Sequence, residues 1–300
     1  MSGRYLEVVR PGALSTVQDL GRPGHAHLGV PRSGALDLPA HRLANRLVGN
    51  PPEAATIETT VTGAAVRLAQ AGTVAVTGAW ARVTVDGRPA SWSAPVSVPA
   101  GACVEIGAAT RGLRSYLAVS GGIAVPPVLG SRSTDLLSGL GPAPLASGDR
   151  LPLGAVAGPP APVDVAPTRI LPEEVALRVL LGPRDDWFTA EASEILATGR
   201  YVVSTASNRI GIRLEGPALP RRVTAELRSE GVVLGAVQVP AAGTPVIFLA
   251  DHPTVGGYPV IGVVHPEDLP QAAQAAPGTP VRFVLWAGAR SGRSVRRAAP

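Results

Sequence analysis

Asp251 and His252 stand side by side at the end of the apolar run 246–250. The stretch after them, Pro253-Thr254-Val255-Gly256-Gly257-Tyr258-Pro259, leads into a second apolar run at Val260–Val264. Imidazole titrates near neutral pH, so a histidine beside a carboxylate at a strand end is the pattern of a general acid–base. The competing reading is an Asx-type turn with His252 packed structurally. A two-residue turn is enough to join consecutive strands as a hairpin. A loop carrying an Asp–His pair, a hydroxyl, two adjacent glycines and a tyrosine therefore points to a ligand. Thr254, Gly256, Gly257 and Tyr258 are candidate contacts, the glycines because backbone without Cβ can close over a small molecule.

Four further stretches are too polar and too glycine-punctuated for plain turns. Residues 15–24, running into 29–37, contain Arg22 and Arg32, a pair able to fork onto a carboxylate or phosphate. Asp19 or Asp37 would orient them, with Ser33 alongside; a glycine-rich loop with surface ion pairs is the alternative. Beyond the helix-capping Gly49-Asn50, Glu58 follows the apolar Ile57 as a partly buried carboxylate, either an acid–base or half of a structural ion pair. Gly121-Gly122 and Gly130-Ser131-Arg132-Ser133-Thr134-Asp135 combine close-approach glycines with donors and acceptors. They match no GxGxxG fingerprint and no βαβ pattern surrounds them, which excludes a dinucleotide-binding fold. In residues 207–213, containing Asn208, strand alternation puts Arg209, Gly211 and Arg213 on one face with an anion-sized gap. A solvated strand face is the other reading.

The elements that must position these residues are mostly strands. Short β-branched runs at 74–77, 83–85, 96–98, 116–119, 175–181, 201–204, 232–239, 246–250 and 260–264 are closed by Gly, Pro or Asp, as in a barrel or sandwich. Helices are expected at 39–47, capped by Asp37, and at 189–196. The Pro/Ala/Gly-rich stretch 154–169 reads as a linker between lobes at 1–153 and 170–287, with an arginine-rich tail at 288–300. Residues 6–21 and 177–188 both read strand, Gly/Pro turn, polar stretch with aspartate, a hint of duplication.

All 27 basic residues are arginine. That excludes a P-loop lysine, a Schiff-base lysine and a lysine carrying biotin or lipoate. The net charge of +5 owes most to the four arginines of the tail, and three Phe and four Tyr give few stacking platforms, so nucleic acid is not an expected partner. Cys103 is the only cysteine; it reads as core, cannot form an internal disulfide and fits a reducing compartment. The first residues carry Arg4, Glu7 and Arg10 and no apolar h-region, and no run reaches the roughly 18 apolar residues that span a bilayer, so the expectation is cytoplasmic and off the membrane. His25 and His27 share a strand spacing but lack a third ligand nearby, so no metal site is expected.

Seven motifs in order carry a resemblance. They are T-V-Q-D-L-G-R-P-G…G-V-P-R-S-G-A-L-D (16–37), N-R-L-V-G-N-P (45–51), S-G-G-I…G-S-R-S-T-D (120–135), G-P-R-D-D-W-F (182–188), S-N-R-I-G-I-R-L (207–214), S-E-G-V-V-L-G-A-V-Q-V-P (229–240) and A-D-H-P-T-V-G-G-Y-P (250–259). The chain resembles the biotin-dependent carboxyltransferase/allophanate hydrolase subunit 2 family over about residues 6–285, nearest to its 5-oxoprolinase C-component (PxpC) and KipA branches. The resemblance implies an all-β fold of two tandem cyclophilin-like β-barrel domains with a few short helices. It also implies partners, a B component (PxpB/KipI-like) and an A component (PxpA-like), that use ATP with Mg to open 5-oxoproline, a small cyclic amide, to L-glutamate. Gln238, in the sixth motif, joins the candidate contacts. Arg22, Arg32, Arg209 and Arg213 would serve phosphoryl oxygens, and Asp251, His252 and Glu58 would move protons. Two alternatives stand beside this reading. One is a carboxyltransferase acting on urea or a related amide with biotin held on another chain or domain; the other is a KipA-type antagonist of a kinase inhibitor, which is not an enzyme.

Overall fold

The computed structural model describes residues 3–286; the arginine-rich tail expected at 288–300 lies outside them. The N-terminal half forms a curled nine-stranded sheet. Its spine is a pair of long antiparallel strands, Gly72–Val85 and Cys103–Val119, whose register slips between Gly78 and Val83. From Cys103–Val119 the sheet runs one way through Thr56–Thr60 to Leu14–Gln18. The other way it runs through Ala65–Leu68 and Tyr5–Arg10 to Arg150–Pro152. Arg88–Ala90 and Val96–Val98 pair with Gly72–Val85. Alternation decides which side chains enter the core: Leu6 and Val8, Val66 and Leu68, Val74 and Val76, and Val104 and Ile106 are all buried.

The C-terminal half is a closed seven-stranded barrel in the order Val175–Leu181, Val260–Val264, Ala236–Gln238, Val246–Phe248, Gly211–Glu215, Tyr201–Val203, Pro280–Leu285. The last strand closes on the first by a parallel pairing, Val175 opposite Val281 through Val179 opposite Leu285. Leu177, Val179, Ile212, Leu214, Val237, Ile247, Ile261 and Phe283 fill its interior. The two halves are tandem cyclophilin-like barrel-type domains, as the resemblance implied. Helices cover Leu38–Leu47, Ala190–Thr198 and Leu269–Ala273. The first starts where Asp37 accepts a 3.1 Å hydrogen bond from the Ala40 N–H, a side-chain cap on the otherwise orphaned first turn. No helix among the described residues is long and apolar enough to cross a membrane.

Three expectations need correction. The runs 74–77 and 83–85 are parts of one strand, because residues 78–82 between them belong to an irregular but continuous pairing. The run 232–239 is not one strand. Glu230–Gly231 pairs with Val255–Gly256, and the chain turns at Gly235, whose φ of +83° is left-handed, before Ala236–Gln238 begins. Third, Val246–Phe248 and Val260–Val264 are not neighbours, because Ala236–Gln238 lies between them. No hairpin turn can join them; the 251–259 loop has to cross a strand, so its length is a demand of topology and no longer evidence of a ligand.

Between Pro152 and Val175 there is no helix or strand among the described residues. This stretch lies along the first half: the Ala161 N–H donates to Leu47 O at 3.0 Å, and Ala166 and Ser93 exchange two hydrogen bonds. The halves also invade each other. Leu36 is buried in the C-terminal core, and Gln274 reaches back to accept from the Leu113 and Arg114 N–H groups at 3.0 Å each.

Candidate functional site

The polar stretches singled out in the sequence meet where the two halves touch. At the centre is Arg209, 1% exposed. Its Nε and Nη2 donate to the two carboxylate oxygens of Asp251 at 2.9 and 3.1 Å, Nη2 also donates to Gly34 O at 2.8 Å, and Nη1 donates to Glu58. Such a fork matches a carboxylate's geometry in a way that lysine cannot. Asp251 also accepts from the Ser33 hydroxyl at 2.8 Å and the Leu136 N–H at 3.2 Å. Glu58 accepts from the Leu36 N–H at 3.1 Å and the Tyr116 hydroxyl at 2.8 Å, with the Arg114 Nε 3.8 Å away. The Tyr116 oxygen in turn accepts from the Asp37 N–H at 2.7 Å. Glu58 and Asp251 are as sealed from water as Arg209.

Charge explains why the group survives burial. Burial opposes ionisation of Glu58, but the Arg209 and Arg114 guanidinium groups outweigh it and hold its pKa below the usual carboxylate value. Burial likewise works against the charge on Arg209, and Glu58 and Asp251 overturn it, raising its pKa. Tyr116 is pushed well above an ordinary phenol, first by burial and then by Glu58. These three ions form a clasp: Glu58 comes from the first half, Arg209 and Asp251 from the second. Of the two readings open for Glu58, the geometry is that of a structural ion pair.

Asp19 organises a second cluster. It accepts from the Ser131 and Ser133 hydroxyls and the Arg132 N–H at 2.6 Å each, and from the Gly21 N–H at 2.8 Å. Arg22 is fully buried beside it, donating to Ser133 O and Val128 O, with Nη1 4.0 Å from Asp135. Gly21 belongs here for a steric reason. Its φ is +82°, and a Cβ would lie 2.5 Å from Ser33 O.

His252 is 6% exposed and lies flat on Phe248, ring centroids 5.8 Å apart. Its Nδ1 is 2.7 Å from Pro253 O, and a carbonyl only accepts, so Nδ1 carries the proton and Nε2 the lone pair. Burial lowers its pKa below that of an ordinary histidine, leaving a neutral ring at pH 7. The expected Asp251–His252 pair does not form: all the side-chain bonds of Asp251 go to Ser33, Leu136 and Arg209. The partner that orients the imidazole is a backbone carbonyl.

The other candidates scatter. Arg22 and Arg32 do not fork onto a common anion, since Arg22 is sealed and Arg32 is exposed. Arg209, Gly211 and Arg213 do not share a face: Arg209 precedes the strand Gly211–Glu215 in a turn, and Arg213 points to solvent. Asn208 holds that turn, its side-chain oxygen accepting from the Ile210 N–H at 2.8 Å. The four arginines thus provide no phosphate cradle, and ATP does not fit them. Gln238 donates to Tyr258 O at 3.1 Å. Gly256 and Gly257 are closely packed: a Cβ would lie 2.9 Å from Gln238 Nε2 at the first and 3.0 Å from Leu227 O at the second. Thr254 is half-buried and Tyr258 exposed; Tyr258 borders a cleft of about 360 Å³ with Arg221, Thr224 and Ser229. Asp37 faces a different cleft, beside Arg46 and Arg169. Cys103 is only half-buried, at the start of its strand. The sequence reading missed Tyr116, Arg114 and Gln274, which complete the clasp. Arg114 and Tyr116 were visible only as polar residues beside and within an apolar strand run.

A family model described as carboxyltransferase domain, subdomain A and B, matches residues 28–285. The chain is 38% identical to the C subunit of 5-oxoprolinase from Escherichia coli (strain K12), covering 93% of this chain and 90% of that one. It is 33% identical to urea amidolyase of Saccharomyces cerevisiae, again over 93% of this chain but only 16% of that much longer protein. Among solved structures, the TTHA0988 crystal structure superposes with a TM-score of 0.86 at 38% identity, over 95% of this chain and 56% of that one. The K. lactis urea amidolyase gives 0.88 at 31% identity, over 95% and 19%.

Proposed function

Because this chain belongs to the carboxyltransferase family built of subdomains A and B, we propose that it is the C component of an ATP-dependent 5-oxoprolinase. In this reading it acts in the cytoplasm with the A and B components to open 5-oxoproline to L-glutamate. The observation that carries the reading is end-to-end correspondence: this chain and its bacterial 5-oxoprolinase relative match over nearly their whole lengths. A urea amidolyase matches only as one segment of a larger machine.

Opening a lactam adds water across the C–N bond, so a proton must leave the water and another must reach the departing nitrogen. His252 is the group here suited to both transfers, being neutral with Nε2 unprotonated. Glu58, Arg209 and Asp251 are positioning residues in this account, holding the halves in register so that loops from each face the same site. ATP with Mg is assigned to the complex rather than to the four candidate arginines of this chain, since Arg22 and Arg209 are buried against protein oxygens and Arg32 and Arg213 are exposed apart from them.

The urea amidolyase likeness favours one second reading, a biotin-dependent carboxyltransferase. Biotin would be carried elsewhere, since the chain has no lysine. The reconstituted complex should turn over 5-oxoproline with ATP and be indifferent to avidin. Turnover of urea that avidin abolishes would replace the first reading with the second.

A further inference from the structure

One cleft lies away from the 251–259 loop and shares no residue with it. It is walled by Pro39, Leu43 and Leu171 and holds about 190 Å³, below the roughly 300 Å³ at which drug-sized pockets begin and suited to an amino-acid-sized molecule. Asp37 lines its inner end, 7% exposed. Its Oδ1 accepts from the Ala40 N–H at 3.1 Å and its Oδ2 from Gln274 Nε2 at 2.9 Å. A carboxylate oxygen has two lone pairs, so each retains accepting capacity. Arg46 and Arg169 also line the cleft. Both are exposed, and neither forms a salt bridge among the described residues. Burial raises the pKa of Asp37, and the Gln274 and Ala40 hydrogen bonds and then the charge of Arg169 act against that rise.

A buried acceptor flanked by two uncommitted guanidinium groups and short apolar walls has a defined complement. We propose that this cleft binds a small carboxylate bearing an N–H donor on the adjacent carbon, its carboxylate on Arg46 and Arg169 and its N–H on Asp37. Lactam acids and α-amino acids share this chemistry. The cleft is built entirely from this chain, so the isolated protein binds the ligand without partners, and the site stands independently of the reaction proposed above.

Titration calorimetry on the isolated chain tests it with three probes: L-5-oxoproline, L-glutamate, and cyclopentanecarboxylate, a ring carboxylate without the N–H. One of the first two should bind, and which one does tells a lactam acid from an α-amino acid. Cyclopentanecarboxylate should bind at least about tenfold more weakly, because it forgoes the charge-assisted hydrogen bond to Asp37. Arg46→Gln and Arg169→Gln sit on the surface and should each weaken binding by about tenfold or more, whereas Arg88→Gln, exposed on a distant strand segment, should not. The proposal is overturned if neither N–H ligand binds, if cyclopentanecarboxylate binds equally, or if the Arg46→Gln/Arg169→Gln double variant binds normally. Because the readout is binding and not turnover, an active complex whose isolated chain binds neither ligand sinks this site alone.

Discussion

Replacing Arg209 by alanine is the sharpest perturbation of the clasp. The change removes donors to Asp251 at 2.9 and 3.1 Å, to Gly34 O at 2.8 Å and to Glu58, and leaves two carboxylates in a space that water does not reach. Removing one member of a buried ion pair costs about 3–5 kcal/mol, because the abandoned charge keeps its desolvation penalty and loses its partner. Glu58 would retain the Leu36 N–H, the Tyr116 hydroxyl and the more distant Arg114. Asp251 would retain Ser33 and the Leu136 N–H. These remaining donors keep the loss near the middle of the range, about 4 kcal/mol. With an unfolding entropy of about 2.1 cal/mol/K per residue, a chain of this length loses roughly 6 °C in Tm. Urea denaturation followed by circular dichroism, alongside a thermal melt, measures both quantities. Arg209→Lys should recover part of the loss but not all, since an ammonium cannot reproduce the fork. A cost below about 1 kcal/mol for Arg209→Ala would refute the reasoning and return Arg209 to the list of ligand-binding groups.

Three further outcomes are expected. His252→Gln should lower kcat of the assembled complex by about 10²–10⁴-fold while Tm stays within about 2 °C; full turnover would remove His252 from the proton-transfer role. Gly21→Ala forces a Cβ to 2.5 Å from Ser33 O at a left-handed φ, so a loss of about 1–3 kcal/mol should appear in the same urea titration; a neutral result would mean that the backbone at Gly21 and Ser33 can move apart freely. His41 is buried with Nε2 near Pro52 O and Nδ1 near Thr56 Oγ1, and burial lowers its pKa to about 4 from an ordinary 6.5. Between those values the unfolded chain binds the extra proton, so this group makes stability rise with pH by about 3 kcal/mol from about pH 4 to 6.5. Glu58, with its depressed pKa, adds to the loss in acid and Asp37, with its raised pKa, opposes it; His41→Gln should flatten the profile by its own share, and an unchanged slope would assign the effect elsewhere.

Much of the fold was legible because its cues are local. Short apolar runs closed by Gly, Pro or Asp marked strands such as Val175–Leu181 and Val260–Val264, and Asp37 marked the start of the helix that follows it. The pairing order was not legible, because it depends on which strands meet across the barrel. That is why the 251–259 loop looked longer than it needed to be: nothing in residues 246–264 reveals that Ala236–Gln238 lies between its flanking strands. The site showed the same division. Glu58, Arg209, Asp251, Ser33 and Asp19 were identifiable as polar residues that break apolar patterns, and they do converge. Their use was hidden, since pairing across 151 residues between Glu58 and Arg209 is invisible to any local reading. Neighbours in sequence misled for the opposite reason: Asp251 and His252 adjoin along the backbone, yet the Asp251 carboxylate turns to Arg209.

The most direct test of the account is ATP-dependent release of glutamate from 5-oxoproline by this chain mixed with its A and B components, with each protein left out in turn. The account predicts turnover from the complete mixture and none when this chain is absent. Turnover that persists without it, or its absence from a well-folded complete complex, would contradict the assignment.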